Sequence, residues 1–322
     1  MAKLKKKMLL PLILLITACE SYITDINFDD VQLKLVLNGM ISPDSIMVHL
    51  SRSMKINESM NELSDLTINN AEVTLFENDI KIGNLQYYET LYASGIQSYT
   101  IGYYTIKDFV PKEGVTYRVE AEAKGFPKIN AENVIPSLPE TIKIDTLTRY
   151  TNFGYGNEEI FEFIPEIMNY NGQKNYYAFS IPTRLDLSDW GYNYRGTFYT
   201  SSPVKIDFYS SWGYFNTTDE LEISDKNGEY FFASDKGLSS EPFILKFYIQ
   251  TYDLQYIGDI LELNIDILDS GYYNHLLSLA RWDESAGIDF FTEGVSIYSN
   301  VENGLGILGA KNSYRQEIVS NR

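Results

Sequence analysis

The chain has 322 residues, enough for more than one domain, with 44 acidic side chains against 26 basic ones and a formal charge of −18. A body this acidic repels phosphate and carries no Lys/Arg cluster as an exception, which excludes nucleic acid as a partner and argues against an electrostatic hold on anionic lipid. One cysteine excludes an internal disulfide, and there is no fixed-period repeat or low-complexity tract.

Residues 1–18 have the order of a cleaved signal peptide: Lys3, Lys5, Lys6 and Lys7, an apolar run from Met8 to Ile16 broken by Pro11, then the small residues Thr17 and Ala18. The run is too short for a spanning helix, which needs roughly 20 apolar residues. Ile16-Thr17-Ala18-Cys19 resembles the bacterial lipobox, in which the cysteine after the cut receives a diacylglyceryl group. Cys19 is therefore the expected lipidation site and first mature residue. Each buried methylene contributes about 0.8 kcal/mol, so two or three acyl chains make such an anchor effectively permanent. Loss of four leader lysines leaves a mature charge of about −22. Residues 19–30 form the lipidated tether. Its acids, Glu20, Asp25, Asp29 and Asp30, resemble a surface-export signal, although a solvated tether explains them as well. The expected location is the outer membrane, on the cell-surface side in preference to the periplasmic face.

Residues 31–133 carry the pattern of a first β domain. Val31, Leu33, Leu35 and Leu37 alternate, Gly39 to Ser45 with Pro43-Asp44 supplies a turn, and Ile46, Val48 and Leu50 alternate again, as in a hairpin with one buried face. Val73 and Leu75 restart a strand, and Tyr117, Val119 and Ala121 make a later one. The spacing Ala71-x-Val73-x-Leu75, then Phe109-x-Pro111-x-x-Gly114-x-x-Tyr117-x-Val119, resembles the small sandwiches related to transthyretin and the carboxypeptidase regulatory domain. An immunoglobulin-like sandwich yields similar spacing. Residues 134–141, containing Pro136 and Pro139, are the expected linker, because each proline denies a strand or helix its backbone donor.

Residues 142–322 predict a second, larger β-sandwich-like domain. Ile142 and Ile144, Tyr176 to Ile181, Val204 to Tyr209, Phe243 to Ile249 and Ile260 to Leu268 have strand length and composition. One short helix is expected near 270–283, capped by Asp269 or Ser270, with Tyr272, Leu276, Leu279 and Ala280 on one face that covers a sheet. The predicted fold class is thus mostly β, with an immunoglobulin-like or transthyretin-like N-terminal sandwich and a second β-rich domain, lipid-anchored.

Asn171-Gly172-Gln173-Lys174-Asn175-Tyr176-Tyr177, Ser224-Asp225-Lys226-Asn227-Gly228 and the stretch from Glu293-Gly294-Val295 to Glu302-Asn303-Gly304-Leu305-Gly306 resemble the Bacteroidota lipoproteins catalogued as domain of unknown function 4249. Val36-Leu37-Asn38-Gly39 fits as well, whereas Asn169-Tyr170 departs from the family's aspartate-proline pair. The resemblance implies two β domains behind a lipobox, often encoded beside TonB-dependent outer-membrane receptors. It brings no catalytic residues with it.

The chemical inventory is thin. The only histidines are His49, out of phase with the core positions of its strand, and His275, beside Leu279 on the helix; neither has a metal or catalytic spacing. There is no G-x-S-x-G, though serine triads can assemble from distant residues. Gly304-Leu305-Gly306-Ile307-Leu308-Gly309 satisfies G-x-G-x-x-G but lacks the helix and the distal acid of a dinucleotide site, so its glycines are expected to serve positive φ or close backbone contact where the last strands fold back. Asp225 to Glu229 begins like a calcium loop with its glycine two places early, and Asn227-Gly228 better fits a hairpin turn. Asp186 and Asp189 are isolated acids, so no metal or other cofactor is assigned. The stretch from Asp186 to Phe215 offers Trp190, Tyr192, Tyr194, Tyr199, Trp212 and Tyr214 as candidate ligand or partner contacts, against the plainer reading that tyrosine-rich strands simply pack.

Three classes follow: a non-enzymatic accessory or ligand-capture lipoprotein working with a TonB-dependent receptor, a surface adhesive or structural protein, and a lipid-anchored hydrolase. The ligand is not specified by the sequence.

Overall fold

The computed structural model describes residues 32–55, 58–59, 63–94, 97–152, 157–168, 174–180, 183–184, 199–200, 224–226, 230–235, 242–244, 247–250, 260–285 and 296–319. It is mostly β, as the alternation predicts, with one short helix among the described residues. Strands β1 (Leu35–Ser42) and β2 (Ser45–Arg52) pair from Leu35↔Arg52 to Ser42↔Ser45. The turn is tighter than the sequence suggested. Only Pro43-Asp44 lies between the strands, and Gly39 to Ser42 continue β1.

Strands β3 (Glu72–Glu77), β4 (Ile80–Ser94), β5 (Gln97–Thr105), β6 (Thr116–Glu122) and β7 (Ile129–Val134) follow. Asn78 and Asp79, both at positive φ, make the two-residue turn between β3 and β4, the turn whose twist matches that of paired strands. β4 is long because it serves two layers: Ile80 to Leu85 pair with β3, and Gln86 to Ser94 pair with β5. The sheet thereby folds over itself. Leu35, Leu37, Ile41, Val48 and Leu50 of one layer meet Val73, Leu75, Tyr117, Val119, Ala121 and Ile129 of the other, all fully buried. Each buried side chain of this size contributes about 1.5–3 kcal/mol relative to exposure. Tyr104 ties a loop to this core by donating to Ile68 O (2.9 Å) and accepting from Ala71 N (3.0 Å).

The C-terminal half begins with β8 (Thr141–Asn152) and β9 (Asn157–Met168), followed by β10 (Tyr176–Ser180), β11 (Thr183–Arg184), β12 (Tyr199–Thr200), β13 (Ser224–Lys226), β14 (Tyr230–Ser234), β15 (Phe243–Ile244), β16 (Phe247–Gln250) and β17 (Ile260–Leu268). Helix α1 (Ser270–Ser285) and β18 (Leu305–Val319) complete it. Lys226 of β13 pairs with Tyr230 of β14, and the hairpin turn expected at Asn227-Gly228 lies outside the described residues. Phe161, Phe163 and Ile167 of β9 pack on Tyr177, Phe179, Leu263, Ile265 and Ile267, forming a second core. Within it the Tyr177 ring stacks on Phe243 at 5.4 Å, and its hydroxyl donates to buried Asp235 at 2.9 Å. Burial, with Asp235 adding to it, pushes the Tyr177 phenol far above its ordinary value.

One strand joins the two halves. Leu305 to Ala310 of β18 run parallel to β1, from Val36↔Leu305 to Ile41↔Ala310, while Lys311 to Val319 pair antiparallel with β17. The result is a continuous sheet in the order β13-β14-β10-β17-β18-β1-β2-β5-β4-β3-β6-β7. The sequence reading places residues 305–310 with the C-terminal domain, whereas in space they complete the N-terminal sheet. Parallel pairing needs a crossover connection, and here that connection is most of the chain. Gly306 makes the junction possible: its φ is +101°, and a Cβ there would lie 2.1 Å from Leu37 O. The glycine motif therefore serves the positive φ and close backbone contact expected of it.

Candidate functional site

The sheet formed by β18, β1, β2 and β5 has two apolar faces. Strand geometry sends alternate side chains to opposite sides, so β1 directs Leu35, Leu37 and Ile41 into the core and Val36, Asn38 and Met40 to the other face. β2 does the same, with Ile46, Val48 and Leu50 inside and Met47 and His49 outside. Ile101 and Tyr103 of β5 and Leu305 and Ile307 of β18 extend this second face on either side.

Helix α1 forms the facing wall. Asp269 starts it, with Oδ1 accepting from the amides of Gly271 (2.7 Å) and Tyr272 (3.0 Å) and Oδ2 from Ala310 N of β18 (2.7 Å). The cap expected at Asp269 or Ser270 is Asp269, and the same carboxylate fastens the helix to the sheet. Burial raises the Asp269 carboxyl above its ordinary value, against the lowering effect of these backbone donors. Gly309 lets the helix lie close, since a Cβ there would stand 2.6 Å from the Tyr272 ring. Tyr272, His275, Leu276 and Leu279 follow helical i, i+3, i+4, i+7 spacing and share the face toward the sheet.

Between floor and wall lies a cavity of about 790 Å³, closed on a third side by Ile297 to Ser299. That segment hangs on α1 through Tyr298: its carbonyl lies 2.6 Å from His275 Nδ1, and its amide donates to Ser278 Oγ at 3.0 Å. Among the described residues that line the cavity there is no Asp, Glu, Lys or Arg. Both histidines of the chain line it. His49 Nδ1 lies 2.6 Å from Gly102 O, as His275 Nδ1 does from Tyr298 O. A carbonyl only accepts, so Nδ1 carries the hydrogen in each ring, and in the neutral imidazole Nε2 is then the acceptor. The groove thus combines apolar walls with a histidine on the floor and another on the facing helix. Such a site suits an apolar molecule. Among the described residues no cluster of three or more His, Cys, Asp or Glu side chains could hold a metal ion.

The sequence pattern puts His49 away from the core and His275 beside Leu279, and both are so placed, but nothing in that pattern brings them to one cavity. The available signal was apolar side chains at outward positions: Val36, Met40 and Met47 sit where a sheet with a single buried face would carry polar residues. Of the aromatic candidates, Trp190, Tyr192, Tyr194, Trp212 and Tyr214 lie outside the described residues, as does Cys19. Tyr199 lies on β12, where its backbone pairs with Arg184 of β11.

Fold and site together define a mostly β protein whose two packed halves share one long sheet, with an apolar groove at the helix that crosses it. The family model described as Domain of unknown function (DUF4249) matches residues 23–317, and the chain belongs to that family. No curated protein matches the chain. Solved structures with some likeness include the partial N-terminal region of an enterococcal surface protein, 11% identical with a TM-score of 0.20 over 74% of this chain and 90% of that one, a similarity too slight to carry an argument.

Proposed function

We propose that this protein is a non-enzymatic, lipid-anchored capture protein of the outer membrane that works with a TonB-dependent receptor, holding an apolar ligand in the groove between α1 and the β18-β1-β2-β5 sheet. The observation that carries this reading is the cavity itself: about 790 Å³, within the size range of small-molecule sites, lined by apolar side chains with two histidines among them. Its walls come from opposite ends of the chain, so the folded body supplies a site that neither half could build alone. The likeness of Ile16-Thr17-Ala18-Cys19 to a lipobox supports the anchor, and the gene neighbourhood that the family resemblance implies supports the receptor.

Two outcomes follow. Cys19→Ser removes the lipid acceptor, and the protein is expected to leave the membrane pellet for the soluble fraction; retention in the pellet would contradict lipid anchoring. Met47 is 45% exposed on the groove floor, so Met47→Glu places a charge there at a folding cost of about 1 kcal/mol, small enough to leave the chain folded. The uncharged dye Nile red should brighten on the wild-type protein and remain dim on this variant. Equal brightening on both would place the apolar site elsewhere.

A further inference from the structure

β8 is an edge strand of unusual length. It runs beside β9 in one-to-one register from Thr141↔Met168 to Asn152↔Asn157, and among the described residues nothing pairs with its other edge. A free strand edge is a template for a second strand, and proteins blunt such edges by shortness, proline, bulges or charge. β8 is twelve residues long, contains no proline and shows no register shift. It does carry Lys143, Asp145 and Arg149.

Those charges repel a copy of the same strand in some registers and complement it in two: centred on Ile144, where Lys143 faces Asp145 but only residues 141–147 of the strand overlap, and centred on Leu147, where residues 142–152 overlap. When two identical strands pair antiparallel about a two-fold axis, the residue on the axis fixes every opposing pair. With Leu147 on the axis, it faces its own copy, Thr146 faces Thr148, Asp145 faces Arg149, and Ile144 faces Tyr150. Each of the last three pairs occurs twice. Moving the axis to Thr146 sets Lys143 against Arg149 and loses the opposite-charge pairs; moving it to Thr148 also leaves Asp145 without its arginine.

The side chains are placed for the favoured register. Leu147 and Tyr150 are 48% and 69% exposed. Asp145 is exposed and makes no ion pair among the described residues. Arg149 is held on the same face by Glu162, at 2.9 Å and 3.3 Å, and this face points away from the aromatic core, because Phe161 and Phe163 lie opposite Thr148 and Thr146. Cross-strand opposite charges, an apolar pair on the axis and an aromatic beside a β-branched residue are the pairings that stabilise sheets.

We propose that two copies of this chain associate through β8, antiparallel and centred on Leu147, joining their small sheets into one. The test uses the full lipidated chain in mild detergent with a short bismaleimide. Leu147→Cys should crosslink to a dimer, while the unmodified chain and Leu91→Cys, a still more exposed leucine on β4 at 70%, should not. Adding Asp145→Arg, which sets arginine against arginine twice, should lower the dimer yield at least about tenfold. The unmodified chain should sediment as a dimer and the Asp145→Arg chain as a monomer. Monomeric sedimentation of the unmodified chain, equal crosslinking at positions 147 and 91, or a dimer indifferent to Asp145→Arg would each overturn the proposal.

Discussion

Gly306→Ala is expected to destabilise the protein by about 3–5 kcal/mol, read as a fall in the urea midpoint of the mature chain. The added methyl would sit 2.1 Å from Leu37 O and 2.8 Å from its carbonyl carbon, both backbone atoms of the neighbouring strand, so no side chain can rotate aside to admit it. The residue also stands at φ +101°, where an L side chain is strained. Relief requires β18 to move away from β1 where the two halves join. Gly125→Ala is the matched control: φ is +91°, but nothing lies within 4 Å of the added atom, so its cost should be only about 1–2 kcal/mol. Equal midpoints for the two variants would show that the β1–β18 junction does not depend on this contact.

Asp269→Ala should cost about 2–4 kcal/mol, because it strips a partner from the amides of Gly271, Tyr272 and Ala310 together. The loss should be local as well as global, with α1 amides exchanging faster and Nile red fluorescence falling as the groove loses its wall. Asp269→Asn keeps one capping oxygen and removes the buried charge, so it should cost clearly less than alanine. The pH dependence has a definite sign. A carboxyl raised by burial holds its proton more tightly folded than unfolded, so its contribution is complete below the ordinary value of 3.8 and is lost as pH climbs through the raised folded value. The asparagine variant cannot ionise. Measured against it, the wild type should lose ground as pH rises across that window; a constant difference would contradict the burial assigned to Asp269.

Local periodicity carried most of the secondary structure. The alternation of Leu35, Leu37, Ile46, Val48 and Leu50, of Val73 and Leu75, and of Tyr117, Val119 and Ala121 marks strands that occur where expected. The helix with its cap at Asp269 was equally legible, since a short acceptor before a 3.6-residue apolar stripe is a local signal. The parallel insertion of β18 was not, because pairing between Val36 and Leu305 depends on the whole intervening chain and leaves only glycines as a trace. The groove escaped for a related reason. Met40 and Met47 mark an apolar outward face, but only the approach of α1, far away in the sequence, makes that face a site. The aromatic stretch from Asp186 to Phe215 stands out by composition alone, and all of it but Tyr199 and Thr200 lies outside the described residues.

Capture at the outer membrane for a barrel receptor is tested by a gentle-detergent pull-down of the tagged protein from outer membranes, with co-purifying proteins identified by mass spectrometry. A stoichiometric TonB-dependent β-barrel should come down with the wild-type chain, and with the Met47→Glu chain the same barrel but none of the apolar ligand extractable from the wild-type complex. Recovery of the wild-type lipoprotein without a barrel, even after crosslinking in intact cells, would contradict it.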